Sequence, residues 1–402
     1  MLRKIKMFSL AALSFMVVAS STVAFGSTQN PIKVYMDNKE LQMDVAPIIE
    51  SGRTLVPIRA ISEAVGADVS WDSSTQTVTI STSDKDISLK INSTSATVNN
   101  TKVAIDVPAK ILSGRTLVPL RFVSESLGAK VDYNASQRAV YIKYFSDMSG
   151  TLKIGGSTTL QKASQHAADK LMTMNENMLS VIVSGGGSGA GITGAMDGTF
   201  HVGNASRNVK DEEKQKYPDI REFVIGLDGI AVIVNTQNPV NNLTKQQVFD
   251  IYTGKITNWK DVGGEDSPIL VQTRETGSGT LDGFVEKAIH PIDKNAKIIA
   301  TATPHTSTTL VKNAVSQNKN AIGFISMGYI DSKVKAVSVD SVKAAASSVY
   351  SGKWPYKRDL VVVTKGRPSG NTAKYVNFML SPEGQDILIK DGYLSLKSKS
   401  ED

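Results

Sequence analysis

The residues in this chain best suited to chemistry are hydroxyls and guanidiniums set among glycines. Four clusters hold them: "GGSTTL" (Gly155–Leu160), "SGGGSGAGI" (Ser184–Ile192), "GNASR" (Gly203–Arg207) and "RETGSGT" (Arg274–Thr280). Each follows a stretch that reads as a strand or precedes one that reads as a helix. The first turn of a helix leaves backbone N–H groups without partners and carries a partial positive charge. Glycine lets an anion approach that backbone closely, and Ser and Thr add donors aimed at the same point. Such loops form an oxyanion site made mainly of neutral dipoles. A hydrogen bond to a charged group contributes about 1.5–3 kcal/mol net, and micromolar binding needs about 8 kcal/mol. Five or six donors and one guanidinium therefore suffice, with no metal and no cofactor. Arg207 and Arg274 each adjoin a cluster.

Other chemistries fit poorly. No Gly-Lys-Ser/Thr follows the glycine-rich loops, so they are not a nucleotide P-loop. Starting from Gly186, the fifth residue is Ala190, which breaks a G-x-S-x-G nucleophile elbow. A hydrolase using Ser188 or Ser278 would need a base within reach. The four histidines, His166, His201, His290 and His305, have no spacing that supplies one, nor a carboxylate pattern for a metal. The chain is thus expected to bind rather than to catalyse.

The elements that must position these clusters read as α/β. Short apolar runs such as "LSVIVSG", "GIAVIVN", "NAIGFIS" and "DLVVVTKG" alternate with amphipathic stretches, as in parallel sheets covered on both faces. Trp259 reads as a fold anchor and Trp354 as loop packing. The lysines between Lys333 and Lys365 read as a solvated face.

The chain has 402 residues, too many for one ordinary core. Residues 1–26 read as a secretory signal peptide: a basic head, an apolar run from Met7 to Ala19, then small residues before Ser27. The formal charge is +7, and Arg3, Lys4 and Lys6 lie in the leader, which leaves about +4. That is too mild to argue for nucleic acid. There is no cysteine, so neither disulfides nor a lipoprotein anchor is expected.

"SGRTLVPIRAISEAVGADVSWDSSTQTVTI" (Ser51–Ile80) recurs 62 residues later as "SGRTLVPLRFVSESLGAKVDYNASQRAVYI" (Ser113–Ile142). Each copy reads as strand, proline-started helix, glycine stop and two strands. The two copies, within residues 31–144, resemble the copper amine oxidase N-terminal-like domain found on secreted proteins of Gram-positive bacteria. All four histidines lie outside this segment, so no copper chemistry is expected there. It is read as an α+β repeat domain for structure or surface attachment. "FSDMSG" (Phe145–Gly150) reads as a linker.

Residues 150–398 resemble the phosphate-binding protein of the Pst-type ABC importer. The resemblance rests on the four clusters, "DGIAVIVN" (Asp228–Asn235), "IYTGKITNWKDVGG" (Ile251–Gly264), "NAIGFISMGYI" (Asn320–Ile330) and "FMLSPEGQDIL" (Phe378–Leu388). It implies a two-lobed type II periplasmic-binding-protein fold, with the ligand between lobes that close by a hinge. The crossing strands would pass near Ile230–Asn235 and Ala321–Ile325. By motif, the resemblance places Ser157, Thr158, Thr159, Ser188, Ser206, Arg207, Arg274, Ser278, Gly279 and Thr280 at the phosphate. Where relatives end the third motif in Asp, this chain has Arg207. Asp228 is the candidate replacement, either accepting the proton of hydrogen phosphate or pairing with Arg207. The implied function is a secreted receptor for inorganic phosphate that serves an ABC permease, with cell-wall contact through the N-terminal domain. A reading of a different class is a wall-associated scavenger, sensor or adhesin not coupled to transport.

Overall fold

A computed structural model describes residues 31–176 and 178–396. The leader, residues 1–26, lies outside the described residues.

The two repeats fold alike. The strand Arg53–Pro57 runs into the helix Ile58–Ala64, which ends before Gly66 at φ +76°; Arg115–Pro119 and Leu120–Ser126 repeat this. The two Arg-Thr-Leu-Val-Pro strands pair antiparallel, with Val56 opposite Val118 and Leu55 opposite Pro119. The repeats are therefore related by a local twofold through the Val56–Val118 pair. Their terminal hairpins diverge. Asp68–Asp72 and Thr77–Ser81 enter a five-stranded sheet, whereas Lys130–Asn134 and Ala139–Lys143 join the opening strand Lys33–Met36.

The rest of the chain builds a long sheet that runs through two lobes. The first lobe holds Leu179–Ser184, Gly150–Gly156 and Val202–Ala205, mutually parallel. The second holds Ala321–Ser326, Leu270–Arg274 and Thr303–His305, also parallel. Two antiparallel strands cross between them: Ile220–Asn235, of 16 residues, and Lys357–Lys365, with a register shift between Val224 and Gly226. The second crossing is thus Lys357–Lys365 and not Ala321–Ile325, which lies wholly inside the second lobe. An apolar run marks a strand buried on both faces; it does not say which neighbour the strand takes.

The cores follow this division. Ile230, Val232, Phe284, Phe324 and Tyr356 centre the second lobe, where Phe284 stacks on Phe324 at 4.1 Å. Trp259 and Trp354 are buried there, their ring N–H groups donating to the carbonyls of Asn320 and Ile230. The first lobe shares one continuous core with the N-terminal domain, from Val34, Ile61 and Ile80 to Leu152, Val362 and Phe378.

The segment Phe145–Gly150 is accordingly not a free linker. Phe145 is buried and meets Phe378 edge-on at 5.2 Å. The Asp37 carboxylate accepts the backbone N–H groups of Tyr144, Phe145 and Ser146 at 2.9–3.0 Å. Buried Asn377 donates to Tyr144 Oη at 2.7 Å and accepts from Ser83 N at 3.0 Å. A charged acceptor with three N–H partners and a shared apolar core make this a stiff joint. Polar composition suggested a spacer because backbone capping by a distant Asp leaves no local mark.

Candidate functional site

All four clusters lie where strands end, three of them directly ahead of a helix, and all face the cleft between the lobes. From the first lobe come Ser157, Thr158 and Thr159 in the turn ahead of the helix Gln161–Met174, Ser188 at the start of the helix Ser188–Asp197, and Ser206 just past Val202–Ala205. From the second lobe come Arg274, ending its strand, and Ser278, whose hydroxyl caps the helix Gly279–Phe284 by accepting Leu281 N. Every one of these side chains is buried.

The two lobes touch through them. Thr159 Oγ1 stands 3.0 Å from Thr280 Oγ1, and Thr158 Oγ1 stands 3.5 Å from Thr308 Oγ1. Gly189 N donates to Gly277 O at 3.0 Å. Within the first lobe, Ser157 Oγ donates to Ser206 Oγ at 3.0 Å and Ser188 Oγ accepts Ser206 N at 3.0 Å. Glycine at 279 is sterically required: a Cβ there would lie 2.1 Å from Ser188 Oγ.

Three arginines are buried near the cleft, and their partners separate their roles. Arg274, 3% exposed, donates Nε to His305 O at 3.0 Å, Nη1 to Thr308 Oγ1 at 3.2 Å and Nη2 to Thr306 O at 3.1 Å. Among the described residues it forms no ion pair with a carboxylate. Burial pulls its guanidinium down to about 10, aided by the charge of Arg358 and opposed by Glu275. A buried cation without a counterion is costly, and an anion relieves that cost.

Arg207 is different. Its Nε meets Asp282 at 2.8 Å and its Nη atoms meet Glu213 at 2.8 Å. Burial works to lower its pKa, but Glu213 and Asp282 outweigh it and hold the guanidinium raised. Asp282 belongs to the second lobe, so Arg207 ties the lobes together at the rim, with its charge already met. The sequence placed Arg207 at the ligand; the structure spends it on carboxylates.

Arg358 is the residue that the sequence reading missed, because it stood among lysines taken as solvated. It lies directly opposite Asp228 in the antiparallel register of the crossing strands. Nε and Nη2 donate to Asp228 Oδ2 at 2.9 and 2.6 Å. Nη1 donates to Ser206 O at 3.2 Å and Thr280 Oγ1 at 3.0 Å, and Nη2 to Thr159 Oγ1 at 3.4 Å. Asp228 accepts Ser326 Oγ as well, at 2.9 Å. Asp228 therefore pairs with Arg358 and not with Arg207. Thr159 and Thr280 both accept from Arg358, so one hydroxyl hydrogen bridges the pair and the other is free to point elsewhere. A usable signal was present: an Arg leading into the apolar run of a buried strand needs a carboxylate, and Asp228 leads into the apolar run of the neighbouring strand.

Thr308 was also missed. It begins the helix Thr308–Gln317 behind the Ser307 cap, in a stretch without glycine. Tyr329 Oη donates to Thr158 O at 2.7 Å, and Tyr393 Oη donates to Thr159 O. These two phenols brace the first turn from behind. Burial pushes Tyr329 up to about 12, so it remains a donor at neutral pH. The arrangement can enclose one small oxyanion with hydroxyls, helix N-termini and the Arg274 fork. Among the described residues no cluster of His, Asp or Glu could hold a metal.

Known proteins share this architecture. The PBP superfamily domain matches residues 146–383, and the Copper amine oxidase N-terminal domain matches residues 35–142. The phosphate-binding protein PstS of Bacillus subtilis is 31% identical over 248 residues, covering 61% of this chain and 81% of its own length. A Clostridium perfringens substrate-binding protein of the phosphate ABC transporter type, solved with bound phosphate, is 38% identical with a TM-score of 0.58, covering 62% of this chain and 100% of its own. An ABC-type phosphate transport receptor from Vibrio cholerae is 30% identical with a TM-score of 0.51, covering 60% of this chain and 99% of its own.

Proposed function

The chain belongs to the PBP superfamily, in the two-lobed type II form, and from that premise we propose that it is a non-enzymatic receptor enclosing inorganic phosphate between its lobes. It delivers the ion to the permease of an ABC-type importer, working outside the membrane to which its leader directs it. Among the described residues no helix is long and apolar enough to cross a membrane.

One observation carries the reading. Of the three buried arginines among the described residues, only Arg274 forms no ion pair with a carboxylate, and its partner Thr308 Oγ1 stands 3.5 Å from Thr158 Oγ1 of the first lobe. Phosphate supplies the missing charge and four oxygens to accept from Arg274, Thr158, Thr159, Ser188, Ser278, Thr280 and the N–H groups at Gly279 and Thr280. Closure is then favoured by the ligand, because donors from both lobes are satisfied only when they meet on it. The crossing strands are the hinge, and Arg207–Asp282 is the rim contact made on closing.

Titration calorimetry of the full chain with phosphate tests this. The expected result is one site of micromolar affinity or tighter, about 8 kcal/mol or more. No heat at millimolar phosphate would overturn it.

A further inference from the structure

The local twofold of the N-terminal domain duplicates more than its strands. Each repeat borders a groove of about 610 Å³, and the two grooves are lined by equivalent residues. In one, Trp71 stands beside Arg115 and Asp44; in the other, Tyr133 stands beside Arg53 and Asp106. Arg115 pairs with Asp44, and Arg53 pairs with Asp106 at 2.6 Å. An Arg and a Glu from the short helix complete each groove: Arg59 and Glu63 in one, Arg121 and Glu125 in the other.

Two features of these grooves point to a ligand. The aromatic rings are exposed, Trp71 by 44% and Tyr133 by 48%, and they share a strand face with Val69 and Val131, which line the same grooves nearer the core. On the opposite face of these strands the copies have diverged, Asp68 answering to Lys130 and Ser70 to Asp132, yet on the groove face an aromatic stands at both places. The charges also balance. Each groove carries two arginines and two carboxylates, so neither sign predominates. A polyanion or a polycation would meet as much repulsion as attraction there. A pyranose suits it better: its C–H face lies on an aromatic ring, and its hydroxyls both donate to carboxylates and accept from guanidiniums. Two equal grooves on one rigid body further suit a ligand that repeats.

We infer that the N-terminal domain carries two equivalent sugar-binding grooves, at Trp71 and Tyr133, that together hold a neutral polysaccharide. This gives the proposed cell-wall contact a chemical class, and it stands independently of phosphate binding at the cleft. Because the domain shares its core with the first lobe, the second lobe remains free to close while the chain is held. Two linked weak sites gain avidity for a long chain without any new contact.

The test uses the full chain. Soluble hexamers of glucose and of N-acetylglucosamine are titrated by calorimetry, and retention on cellulose and chitin is measured by pelleting. At least one hexamer is expected to bind at two equivalents. Trp71→Ala and Tyr133→Ala are each expected to leave one equivalent and to lower retention on the polymer by about tenfold or more. The double variant is expected to lose both. Trp71→Phe and Tyr133→Phe keep a ring and should keep binding, and an unchanged thermal unfolding transition reports that every variant is folded. The inference is overturned if neither sugar binds, or if the double variant binds as wild type does.

Discussion

Replacing Arg274 by Ala separates a built anion site from a merely polar cleft. The guanidinium has five N–H donors. Three go to His305 O, Thr306 O and Thr308 Oγ1, which leaves two for a ligand. Two charge-assisted bonds at about 1.5–3 kcal/mol each make about 3–6 kcal/mol. Arg274→Ala should therefore weaken phosphate binding by about two to four powers of ten. Arg274→Lys keeps the charge but loses the fork, and should fall between the two. Arg207→Ala serves as the contrast. Its charge is already met by Glu213 and Asp282, so its loss should cost about tenfold or less, through weaker closure. Calorimetry with phosphate on the three variants reads all of this. The reasoning fails if Arg274→Ala binds within about threefold of wild type, or if Arg207→Ala is the more damaging change.

Other expected outcomes follow from the same contacts. Asp228→Asn leaves Arg358 buried and unpaired, and should lower stability by about 3–5 kcal/mol in denaturant unfolding. The ratio of phosphate to sulfate affinity should move by less than about threefold in that variant; a tenfold fall would instead make Asp228 the acceptor of the ligand's proton. Gly279→Ala drives a Cβ to 2.1 Å from Ser188 Oγ across the cleft. It should hold the lobes apart, enlarging the phosphate-bound particle in X-ray solution scattering and weakening binding by about tenfold or more; unchanged affinity would contradict the closed geometry. Gly66→Ala puts a Cβ 2.2 Å from Asn377 O at a position with φ +76°. Overpacking and the left-handed conformation together should cost about 2–5 kcal/mol and split one calorimetric unfolding transition into two. A single unshifted transition would show that the Gly66 contact carries none of the coupling between the two domains.

Much of the fold was legible because its signals are local. The repeat announced itself through a fixed offset, and Pro57 and Gly66 bracketed a helix by their own backbone chemistry. The clusters at Thr158, Ser188 and Ser278 were readable because a glycine-rich strand-to-helix turn creates its own unpartnered donors. Thr308 offers the same kind of helix start without a glycine, and it went unread for that reason. The crossing strand Lys357–Lys365 was recognised as a buried strand, but its place in the sheet depends on partners far away in the chain.

Sequence alone established that several neutral-dipole loops and two cluster-adjoining arginines exist in an α/β region behind a duplicated α+β module. Only the tertiary structure decided which arginine is left for an anion. Arg207, Arg274 and Arg358 are chemically the same side chain, and each is buried. What distinguishes them is whether a carboxylate from another element arrives within hydrogen-bond reach: Glu213 and Asp282 for the first, none for the second, Asp228 for the third. Charge neutralisation acts through space over a few ångströms, and chain order does not encode that distance until the strands have been placed.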